Sequence, residues 1–305
     1  MMKYTSADYY TFASEIYLAC KGIGTDEQRI INVITQCTLE DLSQVSRTFY
    51  ASYGQSLTRL LRKDTSGNFQ KLVCGSFEGR YQYWARKIRE SIKGQGTDER
   101  VLIELILMAN TEDIAVISEE YFRVARTDML DDISDDIAKN ADWARLLRGW
   151  ICQMRYARGT QEQDAEDLHT AAKGFGTDEN VFIRILCSST KEEFSQICDI
   201  YARKYKKTLR QTIVKEFSGN SEKAFLLAHD SLLSSVNGCC YIIRDSIKGI
   251  GTRDRSLVNI SVLFRDRHNQ LINEVYMQYG SLAKDIKGDT SGWYKKTLLQ
   301  IWKAQ

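Results

Sequence analysis

Proline is absent from this 305-residue chain, where ordinary usage of ~5% would give about 15. Proline is tolerated in turns and at strand edges but breaks helix interiors, so its absence points to a largely helical chain. Long hydrophobic runs are missing too. The longest, from Val101 to Ala109, contains Glu104 and falls well short of the ~18 apolar residues of a membrane span. The N-terminal MMKYTSADYYTF has no apolar signal core, which predicts a cytoplasmic protein. Charge of one sign is lacking: 42 basic against 40 acidic residues leave +2, which excludes the strongly basic domain of a nucleic-acid binder. Histidine is scarce, with only positions 169, 229 and 268. None stands at metal or catalytic-triad spacing, so no enzyme is expected. The eight cysteines contain no CxxC pair and read as reduced, mostly buried thiols. What the chain does have is core material, with eleven Phe, sixteen Tyr and 43% hydrophobic residues. That suffices for two domains or one large repetitive one.

Self-similarity supplies the organisation. KGIGTDE begins at Lys21, KGQGTDE at Lys93, KGFGTDE at Lys173 and KGIGTRD at Lys248, with first glycines 72, 80 and 75 residues apart. The widest gap holds the polar stretch 155–163, which reads as a linker between two halves. The expected domains are 1–76, 77–154, 164–234 and 235–305. Before each motif runs an amphipathic segment, such as Tyr9, Phe12, Ile16 and Ala19–Cys20, spaced as one helix face. After it, Thr25 with Asp26 and Glu27 reads as a helix N-cap with acids in the first turn, followed by apolar Ile30, Ile31, Val33 and Ile34. A further start signal stands at Thr38, Thr111 and Thr190. The fold expected is all-α, in four repeats.

Two glycines one residue apart let the backbone turn sharply and leave carbonyl oxygens exposed. A dinucleotide fingerprint would need a third glycine and a preceding strand, and a phosphate loop would need Gly-Lys-Ser/Thr; neither is present. Acids beside the loop favour a cation, and calcium takes backbone carbonyls together with a carboxylate. A second recurring string offers that carboxylate. Asp64-Thr-Ser-Gly67 lies 42 residues after Gly22, Glu216-Phe-Ser-Gly219 lies 42 after Gly174, and Asp289-Thr-Ser-Gly292 lies 40 after Gly249. Paired Asp-Thr-Gly loops of an aspartic protease are a poor match, because these strings lie among helices and one carries Glu.

KGxGT followed about forty residues later by an acid, four times, resembles the calcium site of the annexin family, and the resemblance covers the chain from about Ser6 to Gln305. It implies five helices per repeat, a curved disc, and calcium-dependent binding to acidic phospholipid membranes from the cytoplasmic side. Carried over, the Ca2+ ligands are Cys20, Gly22, Gly24 and Asp64 in repeat 1. They are Ala172, Gly174, Gly176 and Glu216 in repeat 3, and Ile247, Gly249, Gly251 and Asp289 in repeat 4. In repeat 4 the two-residue shortening disturbs the expected geometry. Repeat 2 keeps its loop but not the Ser-Gly. Asp136 stands 42 residues after Gly94, while the downstream Trp143 helix aligns Ala138 with the ligand position. Ile92, Gly94, Gly96 and Asp136 therefore make a weak site.

The resemblance also places the residue between the glycines at the bilayer, so Ile23, Phe175 and Ile250 are expected membrane contacts and Gln95 a polar one. Ala51-Ser-Tyr-Gly54, Trp143 through Trp150 and Leu298–Trp302 are similar to the alpha-giardins, the annexin branch of a flagellated protist. That resemblance implies association with plasma membrane, microtubule cytoskeleton and flagella, so the protein is expected to link membrane and cytoskeleton, the alternative being a structural cytoskeleton-associated protein held mainly by protein–protein contacts. Two charged stretches remain: Asp128, Asp131, Asp132, Asp135 and Asp136 on one helix face, and the basic run Arg203–Lys207 with Arg210. The first is expected to be a solvated acidic face. The second reads as a solvated turn, or as a contact for lipid headgroups or an acidic partner.

Overall fold

Helix starts are set by local chemistry. Thr38, Asn110 and Thr190 each accept the backbone N–H three residues on and receive that residue's carboxylate in return, closing capping boxes with Asp41, Asp113 and Glu193. In repeat 2 the cap is thus Asn110, with Thr111 the first helical residue. A computed structural model describes residues 4–94, 96–173, 176–249 and 251–304, and every regular element among them is an α-helix.

Repeat 1 comprises α1 (Ser6–Ala19), α2 (Glu27–Gln36), α3 (Leu39–Tyr53), α4 (Leu57–Asp64) and α5 (Gly67–Ser76). Repeat 2 comprises α6 (Arg80–Ile92), α7 (Glu99–Leu107), α8 (Thr111–Ala125), α9 (Met129–Asp136) and α10 (Asp142–Ile151). Repeat 3 comprises α11 (Gln161–Ala171), α12 (Glu179–Ser188), α13 (Lys191–Tyr205), α14 (Leu209–Glu216) and α15 (Gly219–Leu233). Repeat 4 comprises α16 (Ser235–Ile247), α17 (Asp254–His268), α18 (Ile272–Tyr276), α19 (Leu282–Asp289) and α20 (Gly292–Ile301).

The helices gather into two compact units, one of Met1–Trp84 with Ile242–Gln305, the other of Ala85–Tyr241. In the first, Ile30, Ile31, Val33 and Ile34 are all buried, as are Trp84 and Trp302. Charged groups cross its interior. Arg80 reaches Glu40 at 2.9 Å and Asp266 at 2.7 Å, and Arg265 donates to the carbonyls of Ile34 and Cys37. Burial would raise the Asp266 carboxyl, but Arg80 and Arg265 hold it below the usual carboxylate range.

In the second unit, α7 is buried from Val101 to Leu107, and the Trp150 indole donates to the Ala109 carbonyl at 2.9 Å. The stretch 155–163 lies inside this unit rather than between two. Arg155 donates to the carbonyls of Leu186 and Ser189, and the Gly159 amide donates to Glu193 at 2.9 Å.

The fourth helix of every repeat (α4, α9, α14, α19) has eight residues. Repeat 4 departs upstream of it, where α17 runs 15 residues and α18 only 5. Its shortening therefore leaves the helix that ends in Asp289 intact.

Candidate calcium loops and their acids

The four loops share one closure. The amides of Asp26, Asp98, Asp178 and Arg253 donate back to the carbonyls of Ala19, Ser91, Ala171 and Ser246 at 2.8–3.0 Å. Between these ends the chain turns through glycine in the left-handed region, with φ of 110° and 87° at Gly22 and Gly24 and 119° and 81° at Gly249 and Gly251. Gly94, Gly96 and Gly176 are likewise positive. Gly174, Phe175, Ile250 and Gln95 lie outside the described residues.

The threonine of the motif has a different task from the one expected. Asp26, not Thr25, caps α2 by accepting the Arg29 amide, and Asp98 and Asp178 cap α7 and α12 in the same way. Thr25 instead donates to the Asp64 carbonyl at 2.8 Å, tying loop to acid. The tie recurs: Thr97 donates to the Asp136 carboxylate, Thr177 to Glu216 at 3.4 Å, and Thr252 to the Asp289 carboxylate at 2.6 Å. In repeat 4, Arg253 occupies the cap position with no side-chain capping bond, and its guanidinium turns to Asp245 at 3.7 Å.

Asp64, Asp136, Glu216 and Asp289 are each the last residue of their fourth helix. Asp136 thus holds the equivalent place, and counting back from Trp143 to Ala138 falls short by two. The cause is the turn. Repeats 1, 3 and 4 enter the next helix through Gly67, Gly219 and Gly292, all near φ 60°. Repeat 2 lacks that glycine and spans residues 137–141 before α10, with Arg148 donating to the carbonyls of Lys139 and Ala138. Asp136 is exposed, whereas Asp64, Glu216 and Asp289 are half-buried.

The residues present fit a hard cation. One Asp64 carboxylate oxygen, Oδ2, is buried with no hydrogen-bond partner. Among the described residues, no side chain and no loop amide donates to the carbonyls of Cys20, Gly22 and Gly24. The Cys20 thiol is pushed up to about 12 by burial and then by the adjacent Asp64 carboxylate. No group of three or more His, Cys, Asp and Glu able to hold a metal occurs among the described residues. Each loop is instead tied by its threonine to a residue with a single carboxylate. Ile23, at the tip of the first loop, is 110% exposed.

The acidic face on α9 is more engaged than expected. Asp128 caps the helix, and Asp132 accepts the Tyr121 hydroxyl and Thr127, each at 2.8 Å. One cluster escaped the sequence. Cys198 Sγ lies 3.8 Å from His229 Nε2, and His229 Nδ1 lies 2.8 Å from Asp230. It resembles a nucleophile triad, but burial pushes the thiol up to about 12 and Arg210 grips Asp230 at 3.0 Å, which makes it structural. Only the His-Asp adjacency was visible beforehand, and that pair is too common to signal anything.

The Annexin family model matches residues 11–75, 83–140, 163–228 and 240–301. The chain belongs to the annexin family. Mouse annexin A13 is 30% identical over 297 residues, covering 95% of this chain and 93% of its own, and bovine annexin A4 is 32% identical over 293 residues, covering 94% and 92%. Among solved structures, calcium-bound alpha-14 giardin superposes with a TM-score of 0.91 at 25% identity, over 96% of this chain and 99% of its own. That neighbour supports the alpha-giardin branch. No helix among the described residues is long and apolar enough to cross a membrane.

Proposed function

We propose that this protein attaches peripherally to acidic phospholipid membranes through calcium held at its loop-and-acid sites. The observation that carries the reading is the unpartnered Asp64 oxygen, on a residue tied to its loop through Thr25, together with that loop's undonated carbonyls of Cys20, Gly22 and Gly24. An anionic oxygen left buried and unpaired is costly unless a cation meets it. By the same placement, Ala172, Gly174 and Gly176 serve with Glu216, and Ile247, Gly249 and Gly251 with Asp289. Ile92, Gly94 and Gly96 serve with Asp136, whose exposure makes it the weakest. Bound calcium would supply a divalent bridge with positions open to a lipid phosphoryl oxygen. The threonine ties hold each acid against its loop, so little chain ordering remains to oppose binding. Family relatives in general bind phospholipid in this way, and calcium-bound alpha-14 giardin shares the fold.

Sedimentation with phosphatidylserine vesicles tests the reading. The protein pellets with calcium and returns to the supernatant on chelation; equal pelleting with chelator present would refute it.

A further inference from the structure

Of the eight cysteines, Cys152 alone is exposed, while Cys37, Cys74, Cys239 and Cys240 are buried. The adjacent pair Cys239 and Cys240, the conspicuous dithiol of the sequence, is therefore out of reach of an oxidant in solution. Cys152 is the C-cap residue of α10, where the chain leaves repeat 2 for repeat 3. That helix runs beside α12 of the next repeat. Arg145 donates to Asn180 near one end, and Gly149 lies against Ile183 and Cys187 further along. The glycine makes room for the sulfur. A Cβ at Gly149 would stand 3.0 Å from Cys187 Sγ and 3.8 Å from its Cβ, and Sγ lies 3.9 Å from the Leu146 carbonyl oxygen.

Past the helix the chain stays against the same turn of α12. Arg155 donates to the carbonyls of Leu186 and Ser189, each at 2.7 Å, on either side of Cys187. Its guanidinium is held over the Trp150 ring, 4.5 Å from the centroid. Gly149 and Arg155 thus both meet the end of α12 around Cys187, and Cys152 stands three residues from each. The two thiols feel each other's charge. Burial pushes the half-buried Cys187 thiol up to about 12, Arg155 opposes that shift, and Cys152 adds to it.

We infer that Cys152 and Cys187 form a peroxide-sensitive dithiol, in which the exposed sulfur is oxidised first and the half-buried one resolves it, so that a reversible disulfide staples repeat 2 to repeat 3. The Cys152 thiolate attacks hydrogen peroxide, forming an S–O bond while the O–O bond breaks and hydroxide leaves. That hydroxide takes up the proton Cys152 has shed. The Cys187 sulfur then attacks the sulfenic sulfur, the S–S bond forms as the S–O bond breaks, and the departing hydroxide carries off the Cys187 proton as water. In all, two thiols give two electrons to one peroxide, which becomes two waters. Burial slows Cys187 as a nucleophile. Arg155 offsets this by steadying its thiolate, and the placement makes the second step intramolecular. No calcium loop takes part, so the staple stands independently of membrane attachment.

The test treats the fully reduced, full-length protein in chelator with excess hydrogen peroxide, alkylates it without reductant and maps its peptides by mass spectrometry. The expected product is lighter by two hydrogens, carries a Cys152–Cys187 linked peptide as its main disulfide, and reverts with dithiothreitol. Cys187→Ser leaves the Cys152 sulfenic acid unresolved, so dimedone present during oxidation labels Cys152 severalfold more than in wild type. Absence of the linked peptide from wild type, or a main disulfide that joins other cysteines or two molecules, would overturn the inference. So would equal dimedone labelling of Cys152 in wild type and Cys187→Ser.

Discussion

Asp64, Glu216 and Asp136 end equivalent helices but differ in exposure, and that difference orders them. Replacing Asp64 or Glu216 by the amide removes the charge a hard cation requires. Each change is expected to raise the calcium needed for half-maximal vesicle binding by about tenfold, and Asp136→Asn by much less. A calcium titration of pelleting decides, and Asp136→Asn as the most damaging change would refute the ranking. Ile23 is fully exposed, so Ile23→Ser should leave the melting temperature unchanged while weakening vesicle affinity, since burying such a side chain is worth roughly 1.5–3 kcal/mol.

His268 tests the interior. Stacked on Phe264, with Nε2 buried and unpartnered, it is lowered from 6.5 to about 4 by burial and then by Arg267. A histidine kept neutral in the fold contributes stability that is present above pH 6.5 and lost as pH falls toward 4. The contribution is on the order of 1–2 kcal/mol after allowance for its part exposure. Thermal melts of His268→Gln against wild type should converge across that window, and parallel curves would contradict the assignment.

At the scale of elements, much was legible because the signals are local. The recurring Gly-x-Gly and the apolar run Ile30–Ile34 announced loop and buried helix face, and Thr38 with Asp41 announced a capping box. Thr38→Ala is expected to lower unfolding free energy by about 1 kcal/mol, read from denaturant midpoints. Two features were misread, each because a residue type admits two roles. Thr25 and Asp26 are both good caps, and only the fold shows that threonine turns to the Asp64 carbonyl. Ala138 looked like a ligand position because helix α10 was counted backwards through a turn whose extra residues replace the missing glycine.

Over the whole molecule, the four repeats were visible as period, but their grouping was not. Repeat 1 shares a unit with repeat 4 through contacts such as the Leu39 amide to the Asp266 carboxylate, 227 residues apart, and no periodicity encodes such a pair. The contiguous second unit hid the same way, since the polar stretch 155–163 looks like a linker until Arg155 and Gly159 are seen bonded within it. The central claim is that membrane attachment runs through the carboxylates that close the loops. The most direct measurement is calcium-dependent sedimentation of Asp64→Asn/Glu216→Gln/Asp289→Asn with phosphatidylserine vesicles, alongside circular dichroism of the same sample. The account predicts wild-type helical content with pelleting close to that in chelator, since only the weak Asp136 site remains. A folded triple variant that still pellets with calcium as wild type does would contradict it.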